Sequence, residues 1–437
     1  MDDIIAIFSV IVSLFFMSVA ISRLVSGDFS ALWASLLGFF GLCIIDIAKY
    51  YYIDAEKVGW IGSEMYRWTS LWIWMALLLF IIAYAFTRRY AGASKIVQKK
   101  AISFEWRYGG ATIWRLAKIS ILPLSLVVSA FSSGGSYLSV VLSGLGKGIP
   151  CTLVVVGLLI RDRTAVLVGL FSLIAGFSDS SRRAYIAIAI PIIITWLVSY
   201  SSSNFGREKK SRKKIKYITL ASLAALFFFL NFLRSDHNFG EEYNPDDRMA
   251  NTWSYITTLR SIDTFDNTAF IISNFPKNWN YYYGETFASI LTSPIPRSWW
   301  SEKPAGFSAH LGLMRRLGYR GFDEDLWLSI NQFSLSPGFV GEAYANFGFL
   351  GIIFGSIFWG SLAGVYDSRW PVKDVTVLSL PMLLMISAFM LVPRGDFFSA
   401  LNYQIFLFVF SKIFILSMFR PTHSLRRTDW GTSKSRF

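Results

Sequence analysis

The chain has few of the residues from which metal sites and disulfide frameworks are built. Its 437 residues include two cysteines and three histidines. Cys43 and Cys151 both lie in apolar segments, so neither a disulfide framework nor a zinc cluster is expected. His237, His310 and His423 are too far apart to give a metal-ligand spacing. We therefore expect no metal and no other cofactor.

Motifs for nucleotide binding and for hydrolysis are also absent from the sequence. It contains no Walker loop, no GxSxG elbow, no HExxH and no CxxC. If the chain is an enzyme, the energy for its reaction must come from an activated donor embedded in the membrane. A sugar linked to a lipid diphosphate meets this need, because diphosphate is a good leaving group.

Charged residues are scarce, at 16% against 54% hydrophobic, and the apolar residues form runs near membrane length. An α-helix needs about 20 apolar residues to cross the hydrocarbon of a bilayer. Because backbone groups in lipid must be satisfied internally, we predict an all-α, polytopic membrane protein. The eleven predicted spans are 4–22, 29–48, 69–87, 111–131, 137–160, 164–181, 184–200, 217–233, 338–364, 375–393 and 399–419. The span 137–160 is the least regular, since Pro150 and nearby glycines favour a kinked or re-entrant helix.

Basic residues are distributed unevenly between the short loops. The segments 23–28, 88–110, 161–163, 201–216, 365–374 and the tail from 420 contain 23 Lys and Arg residues, against 6 in 49–68, 132–136, 182–183 and 394–398. Because cytoplasmic loops carry the excess, the N-terminus is predicted outside and the C-terminus in the cytoplasm. The net charge of +14 then reports loop orientation rather than binding to nucleic acid.

This orientation places one large loop outside the membrane. We divide the chain into an N-terminal bundle of about eight spans (1–233), an extracytoplasmic loop (234–337), three C-terminal spans (338–419) and a basic cytoplasmic tail (420–437). A loop of this size on one face of a bundle is where chemistry on a lipid-linked substrate would occur.

Arginines gather at the predicted outer face. They are Arg182, Arg183, Arg260, Arg297 and Arg394, with Lys303 near Arg297 in sequence. Guanidinium groups bind phosphate oxygens bidentately and stay charged at any working pH, so the set suits a diphosphate head group. The alternative is that they anchor the chain at the membrane interface or pair with nearby acids. The set as a whole favours binding.

Aromatic residues are dense in the same loop. The segment IPRSWWSEKP at 295–304 contains Trp299 and Trp300, and NWNYYYGETF covers 278–287. Such rings stack on the faces of sugars, but they also anchor loops at a bilayer surface. Composition does not decide between these interpretations.

The segment SPGFVGEAYANFGFLG at 336–351 leads into a predicted span. Gly351 and Gly355 form a GxxxG pair, which favours close helix packing. Glu342, Tyr344 and Asn346 are candidate substrate contacts, and Glu342 is a candidate general base. An acid near a helix N-terminus is alternatively a dipole partner. The short turn PRGDFF at 393–398 adds Arg394 and Asp396 at the same face, with a salt bridge as the alternative.

At IPRSWWSEKP and SPGFVGEAYANFGFLG the chain resembles the O-antigen polymerase family of oligosaccharide repeat-unit polymerases. SRRAY at 181–185 and PRGDFF support the resemblance. It implies an inner-membrane glycosyltransferase with a fold like the type-C class, inverting and independent of metal. Its substrates would be undecaprenyl-diphosphate-linked oligosaccharides, with a chain-length regulator and a flippase as further candidate partners.

The resemblance places Arg297 and Lys303 in a Pro-Arg…Lys-Pro segment, and Glu342, Tyr344 and Asn346 in a Gly-Glu-x-Tyr-x-Asn-Phe-Gly segment. We expect Glu342, Arg297 and Arg394 to be catalytic. The residues expected to bind substrate are Arg182, Arg183, Arg260, Trp299, Trp300, Lys303, Tyr344, Asn346 and Asp396. Two other functions fit much of the sequence. One is an O-antigen ligase, which needs a similar loop and similar arginines. The other is a flippase or transporter, for which Lys147 in the broken span 137–160 is the main indication.

Overall fold

The computed structural model describes a chain that is mainly helical. It covers residues 2–25, 30–44, 63–92, 102–106, 109–131, 137–175, 188–189, 191–193, 195–196, 264–292, 295, 299–300, 302–329, 335–369, 380–395 and 397–423. The helices are α1 Asp2–Val25, α2 Ala31–Phe39, which continues as a π-helix over Phe40–Ile44, α3 Ser63–Gly92, α4 Gly110–Phe131, α5 Tyr137–Ile160, α6 Arg163–Ala175, α7 Thr264–Asn274, α8 Glu285–Thr292, α9 Phe307–Leu317, α10 Glu324–Ser329, α11 Gly338–Arg369, α12 Leu380–Leu391 and α13 Phe397–Met418.

Described helices lie in nine of the eleven predicted spans, of which 29–48, 164–181 and 375–393 also include residues outside the described part. The predicted span 217–233 lies outside the described residues, and 184–200 is described only in part. The irregular span 137–160 is helical throughout, with Pro150 inside it.

Several helices have the length and surface of membrane spans. Among the described residues, the stretches long and apolar enough to cross a membrane are Ile7–Leu24, Glu64–Ala91 and Gly338–Arg369. Large apolar side chains such as Phe15 and Ile119 are exposed on the outside of the bundle. So much exposed apolar surface suits lipid rather than water. The chain is therefore a multi-pass membrane protein.

One small β-sheet departs from the all-α prediction. Strands β1 Ile102–Trp106 and β2 Phe419–His423 pair antiparallel, with Phe104 opposite Pro421. Apolar and polar residues alternate in β1, as a strand requires, and a two-stranded ribbon tolerates proline because each strand has an outer edge. The sheet joins the loop 88–110 to the start of the tail, two segments that the sequence predicts to share a face.

A buried acid near the end of α11 binds two other helices. The carboxylate of Asp367 accepts hydrogen bonds from the backbone N–H groups of Ala31 (2.7 Å) and Leu32 (3.3 Å). The hydroxyl of Tyr84 donates to the same carboxylate over 2.8 Å. Because the first N–H groups of a helix lack intrahelical acceptors, Asp367 caps α2. The end of α11 is thereby fixed to α2 and α3.

Two hydrophobic cores organise the described part of the chain. The larger one runs through the bundle and includes Phe39, Phe80 and Trp359. The smaller one lies within the predicted outer loop, where Phe275, Tyr282, Phe307, Leu311 and Met314 are buried together. The four short helices α7 to α10 occupy the described part of this loop. The loop therefore has a packed interior of its own.

Candidate functional site

The first residues of α11 are joined to the turn that follows α12. The backbone N–H of Gly338 donates to the carbonyl oxygen of Arg394 over 2.9 Å. Gly338 has a φ of 64°. A Cβ atom there would lie 2.7 Å from Cγ2 of Thr264 and 3.0 Å from the carbonyl oxygen of Pro393. Only glycine fits this position, for both reasons.

Helix α7 holds the two residues before Gly338. The hydroxyl of Thr268 donates to the carbonyl oxygen of Pro337 (2.8 Å), and the amide of Asn267 donates to that of Ser336 (3.1 Å). The side-chain oxygen of Asn267 accepts a bond of 2.6 Å from the guanidinium of Arg315. These contacts dock the predicted outer loop onto the start of α11.

The predicted span 338–364 is interrupted rather than continuous. The backbone leaves helical geometry at Phe347 (φ −140°, ψ 17°) and Gly348 (φ 60°, ψ −144°). We call residues 338–346 the first arm of α11 and residues 349–369 its second arm. Gly351 lies against the carbonyl of Ala343, and a Cβ at Gly355 would lie 3.4 Å from that of Ala343. The GxxxG pair thus serves close packing, as the sequence predicts, but its partner is the first arm of the same helix.

Glu342 and Asn346 lie one turn apart on the first arm and share a face. The hydroxyl of Thr286 donates to Oε1 of Glu342 over 2.8 Å. The amide nitrogen of Asn346 donates to that hydroxyl (2.7 Å) and to the carbonyl of Glu342 (2.8 Å). The backbone N–H of Gly284 donates to Oδ1 of Asn346 over 2.9 Å. We call the three fully buried side chains Glu342, Thr286 and Asn346 the Glu342 clamp.

Tyr344 contacts a different group of residues. Its hydroxyl lies 3.4 Å from the carbonyl oxygen of Phe275, to which it donates. Its ring meets the ring of Tyr281 edge-on, with 6.2 Å between centroids. A residue two positions from Glu342 on a helix cannot share its face. Tyr344 therefore links the first arm to the core of the loop, away from the clamp.

Tyr282 is the centre of that loop core. Its hydroxyl lies 3.3 Å from Nδ1 of His310, and the guanidinium of Arg320 lies 5.3 Å from the centre of its ring. Burial raises the pKa of the Tyr282 hydroxyl above its usual range, although the charge of Arg320 opposes the shift. The hydroxyl is therefore neutral at physiological pH and acts as a structural hydrogen-bonding group.

The remaining predicted site residues are placed as follows. Nζ of Lys303 donates to the carbonyl oxygen of Ile295 over 2.7 Å, and Lys303 is buried. Trp299 and Trp300 are 83% and 42% exposed. Arg394 is half-buried and meets α11 through its backbone. The predicted residues Arg182, Arg183, Arg260, Arg297 and Asp396 lie outside the described residues.

Thr286 and Gly284 are the site residues that sequence reasoning missed. Both lie in NWNYYYGETF, which drew attention for its aromatic rings. The available signal was the glycine followed by Glu285 and Thr286 ahead of an apolar run, which is typical of a helix start. Their pairing with Glu342 and Asn346 spans about 60 residues, and no local pattern predicts it.

The clamp holds a carboxylate that can act on a proton. The hydroxyl of Thr286 donates to it, the amide of Asn346 donates to that hydroxyl, and the backbone N–H of Gly284 donates to Asn346. In the part of the chain that the structure describes, no three His, Cys, Asp or Glu side chains are grouped closely enough to hold a metal ion. The chemistry that these residues can supply is proton transfer and the positioning of a polar ligand.

Comparison with known proteins covers this same region. The sequence model of the family described as O-antigen polysaccharide polymerase Wzy matches residues 166–421, more than half of the chain. The match includes the predicted outer loop from its start, both arms of α11, the clamp and the turn at Arg394. No curated protein and no solved structure matches the chain. The chain belongs to the O-antigen polysaccharide polymerase Wzy family.

Proposed function

We propose that this protein joins oligosaccharide repeat units carried on undecaprenyl diphosphate into a longer surface polysaccharide. The product is an O-antigen, a capsule or an exopolysaccharide. The family supports polymerase activity in general. The observation that carries the proposal further is the Glu342 clamp, since a buried and oriented carboxylate occurs within the segment that resembles the family most.

The proposed reaction is an inverting glycosyl transfer. A hydroxyl of the acceptor repeat unit attacks the anomeric carbon of the donor glycan. The bond from that carbon to the diphosphate oxygen breaks, and the lipid diphosphate departs with the bonding electron pair. The proton of the hydroxyl passes to the carboxylate of Glu342, or alternatively to Asp396. Because Glu342 is fully buried, binding of the acceptor must open a path to it.

The arginines are assigned to the donor diphosphate. Arg394 is attached through its carbonyl to Gly338, which lies one helical turn before Glu342 on the first arm. This contact supports a position for Arg394 near the clamp. We assign Arg297 to the same group, with Arg182 or Arg183 and Arg260 as further donors to phosphate. They would stabilise the negative charge that develops as the diphosphate leaves.

We place the reaction at the outer face of the cytoplasmic membrane. The N-terminus is then outside and the C-terminus in the cytoplasm, as the excess of basic residues in the short loops predicts. The pairing of β1 with β2 supports the proposal, because it joins two segments assigned to the cytoplasmic face. Asp367, in a third such segment, contacts Ala31 and Tyr84 near the predicted cytoplasmic ends of spans 29–48 and 69–87. We also propose that the fold is like that of the type-C glycosyltransferases. A chain-length regulator and a flippase are the proposed partner proteins.

The test is genetic and uses the native bacterium. The gene is deleted and complemented with wild type, Glu342→Gln or Arg394→Lys, and the surface glycan is separated on a gel. Glu64→Gln and Arg316→Lys are matched controls, since both residues are exposed. We expect the wild type and both controls to give a ladder of polymer lengths. The deletion strain and the two site variants should instead give a single repeat.

The other outcomes separate the alternatives. An unchanged ladder in the deletion strain would refute the polymerase. Long polymer that accumulates on the lipid carrier would indicate a ligase. Repeat units trapped on the cytoplasmic side would indicate a flippase. A full ladder with Glu342→Gln would remove Glu342 from the mechanism and leave Asp396 as the candidate base.

A further inference from the structure

Three consecutive tyrosines before α8 have three different environments. Tyr281 is half-buried and stacks near Phe275, with 6.4 Å between ring centroids. Tyr282 is 6% exposed, in the core of the loop, whereas Tyr283 is 73% exposed. Packing of the loop accounts for the first two rings. The ring of Tyr283 meets that of Tyr281 edge-on, with 6.3 Å between centroids, yet most of its surface stays exposed.

The backbone of Tyr283 is unusual for a residue with a side chain. Its φ is 49°, in the left-handed region that glycine adopts readily and that aromatic residues avoid. Such a conformation costs about 1–3 kcal/mol and persists only where surrounding contacts impose it. Here the N–H groups of Tyr282 and Tyr283 donate to the carbonyl oxygens of Ala345 and Asn346, both over 3.0 Å.

These bonds place Tyr283 directly beside the Glu342 clamp. The carbonyls of Ala345 and Asn346 are the last of the first arm, so residues 282 and 283 cap its C-terminal end. The next residue, Gly284, donates to the Asn346 side chain of the clamp over 2.9 Å. Glycine at position 283 would form the same backbone bonds without strain. A tyrosine there indicates that the ring itself has a use.

A second exposed ring lies against the same turn. Phe347, at the break between the two arms, is 44% exposed. Its ring would lie 3.1 Å from a Cβ at Gly284, so it packs directly on this glycine. Glu285, the residue after Gly284, is exposed and offers a carboxylate. Two exposed rings and a hydrogen-bond acceptor on neighbouring residues of one turn suit a sugar, which has an apolar C–H face and a polar rim.

We propose that Tyr283 and Phe347 form a binding platform for one sugar ring of the oligosaccharide repeat unit. Glu285 accepts hydrogen bonds from the hydroxyl groups of this sugar. The identity of that sugar as the acceptor rests on the proposed function. The platform would hold the acceptor next to the clamp, so that binding contributes to reaction geometry.

The test separates binding from folding. Wild type, Tyr283→Gly, Tyr283→Phe and the control Tyr90→Ala are purified in detergent. Tyr90 is an exposed tyrosine at the C-terminal end of α3. The probe is the repeat-unit oligosaccharide of the native bacterium, released from its lipid by mild acid. Binding is measured by saturation-transfer NMR, and stability is measured by thermal unfolding.

We expect Tyr283→Gly to unfold at the same or a higher temperature than wild type, because glycine relieves the strain. We expect it to bind the oligosaccharide roughly tenfold more weakly or worse, as when a central aromatic contact is lost. Tyr283→Phe keeps the ring and should bind as wild type does, as should Tyr90→Ala.

Three results would overturn the platform. They are wild-type binding by Tyr283→Gly, a joint loss of stability and binding in that variant, and no binding by the wild type. Binding as expected, together with an unchanged ladder in the deletion strain, would instead remove the polymerase and leave the sugar site in place.

Discussion

Thr286 and Glu342, 56 residues apart in the chain, share a hydrogen bond of 2.8 Å in the interior of the protein. The same hydroxyl accepts a bond of 2.7 Å from Asn346. Thr286 is thus placed between the two polar side chains of the first arm, and it comes from the predicted outer loop. The position of the loop and the orientation of the carboxylate are therefore coupled.

This coupling predicts the effect of removing the hydroxyl. Thr286→Val keeps the shape of the side chain but removes the hydroxyl that donates to Oε1 of Glu342. A hydrogen bond to a charged group contributes about 1.5–3 kcal/mol, so the rate of polymerisation should fall by roughly 10- to 100-fold. Rates are measured with purified protein and lipid-linked repeat units. Thr286→Ser should retain most activity, and Thr292→Val is the control on the same helix. An unaffected rate in Thr286→Val would show that the bond has no catalytic importance.

Gly338→Ala should destabilise the protein more than Gly318→Ala does. Both glycines have nearly the same φ, 64° and 63°. A Cβ at Gly338 would meet Thr264 and Pro393, whereas at Gly318 nothing lies within 4 Å. The difference in thermal unfolding temperature in detergent therefore measures how closely the start of α11 packs against α7 and the turn after α12. Equal losses of stability in the two variants would contradict this packing.

Gln404→Leu should stabilise the protein. Gln404 on α13 is fully buried, and neither atom of its amide has a hydrogen-bond partner in the described structure. An unsatisfied buried polar group costs about 1–3 kcal/mol, and leucine removes that cost at similar volume. Thermal unfolding should shift upward, whereas Gln404→Asn keeps the amide and should not show the gain. A lower unfolding temperature for Gln404→Leu would reveal a partner that the amide needs.

Asp162, in the turn between α5 and α6, should make stability depend on pH. Partial burial alone would raise its pKa, but hydrogen bonds from Lys118, Thr164 and Trp114 outweigh this and hold the pKa well below its usual range. Because the folded pKa is the lower one, the stabilisation is complete above the unfolded pKa of about 4 and is lost as pH falls below it. Asp162→Asn should therefore be less stable than wild type at pH 7.

The check is a series of thermal unfolding curves from pH 7 down to pH 3.5. The difference in unfolding temperature between wild type and Asp162→Asn should narrow only below about pH 4, where protonation of the carboxylate removes its stabilising effect. Asp325→Asn, at an exposed acid of the loop, is the control. A gap that stays constant at every pH would mean that the ionised form of Asp162 has no special role.

Long apolar runs were enough to predict most of the helices, because lipid leaves the backbone few alternatives. The reversal within 338–364 was not predictable in the same way. Hydropathy does not distinguish a continuous helix from one that folds back. Gly348 does not distinguish them either, because glycines are also common in closely packed spans. The strand Ile102–Trp106 was missed because five alternating residues are a weak signal within a charged loop.

Part of the site followed from spacing alone. Glu342 and Asn346 are four residues apart, so a helix brings them to one face. Tyr344 belongs to the same motif, yet its position two residues on sends it to the core of the loop. Thr286 could not be assigned, because its role depends on a contact across 56 residues that no local pattern records.

The sheet of β1 and β2 has a consequence for how the protein is made. The ribosome produces residues 419–423 after every helix of the bundle, yet their partner strand, 102–106, emerges before most of them. The first strand must therefore wait for its partner while the more than 300 residues between the two strands are synthesised. Closure of this ribbon is then a late event in biogenesis, and it can occur only after the last described helix has been inserted.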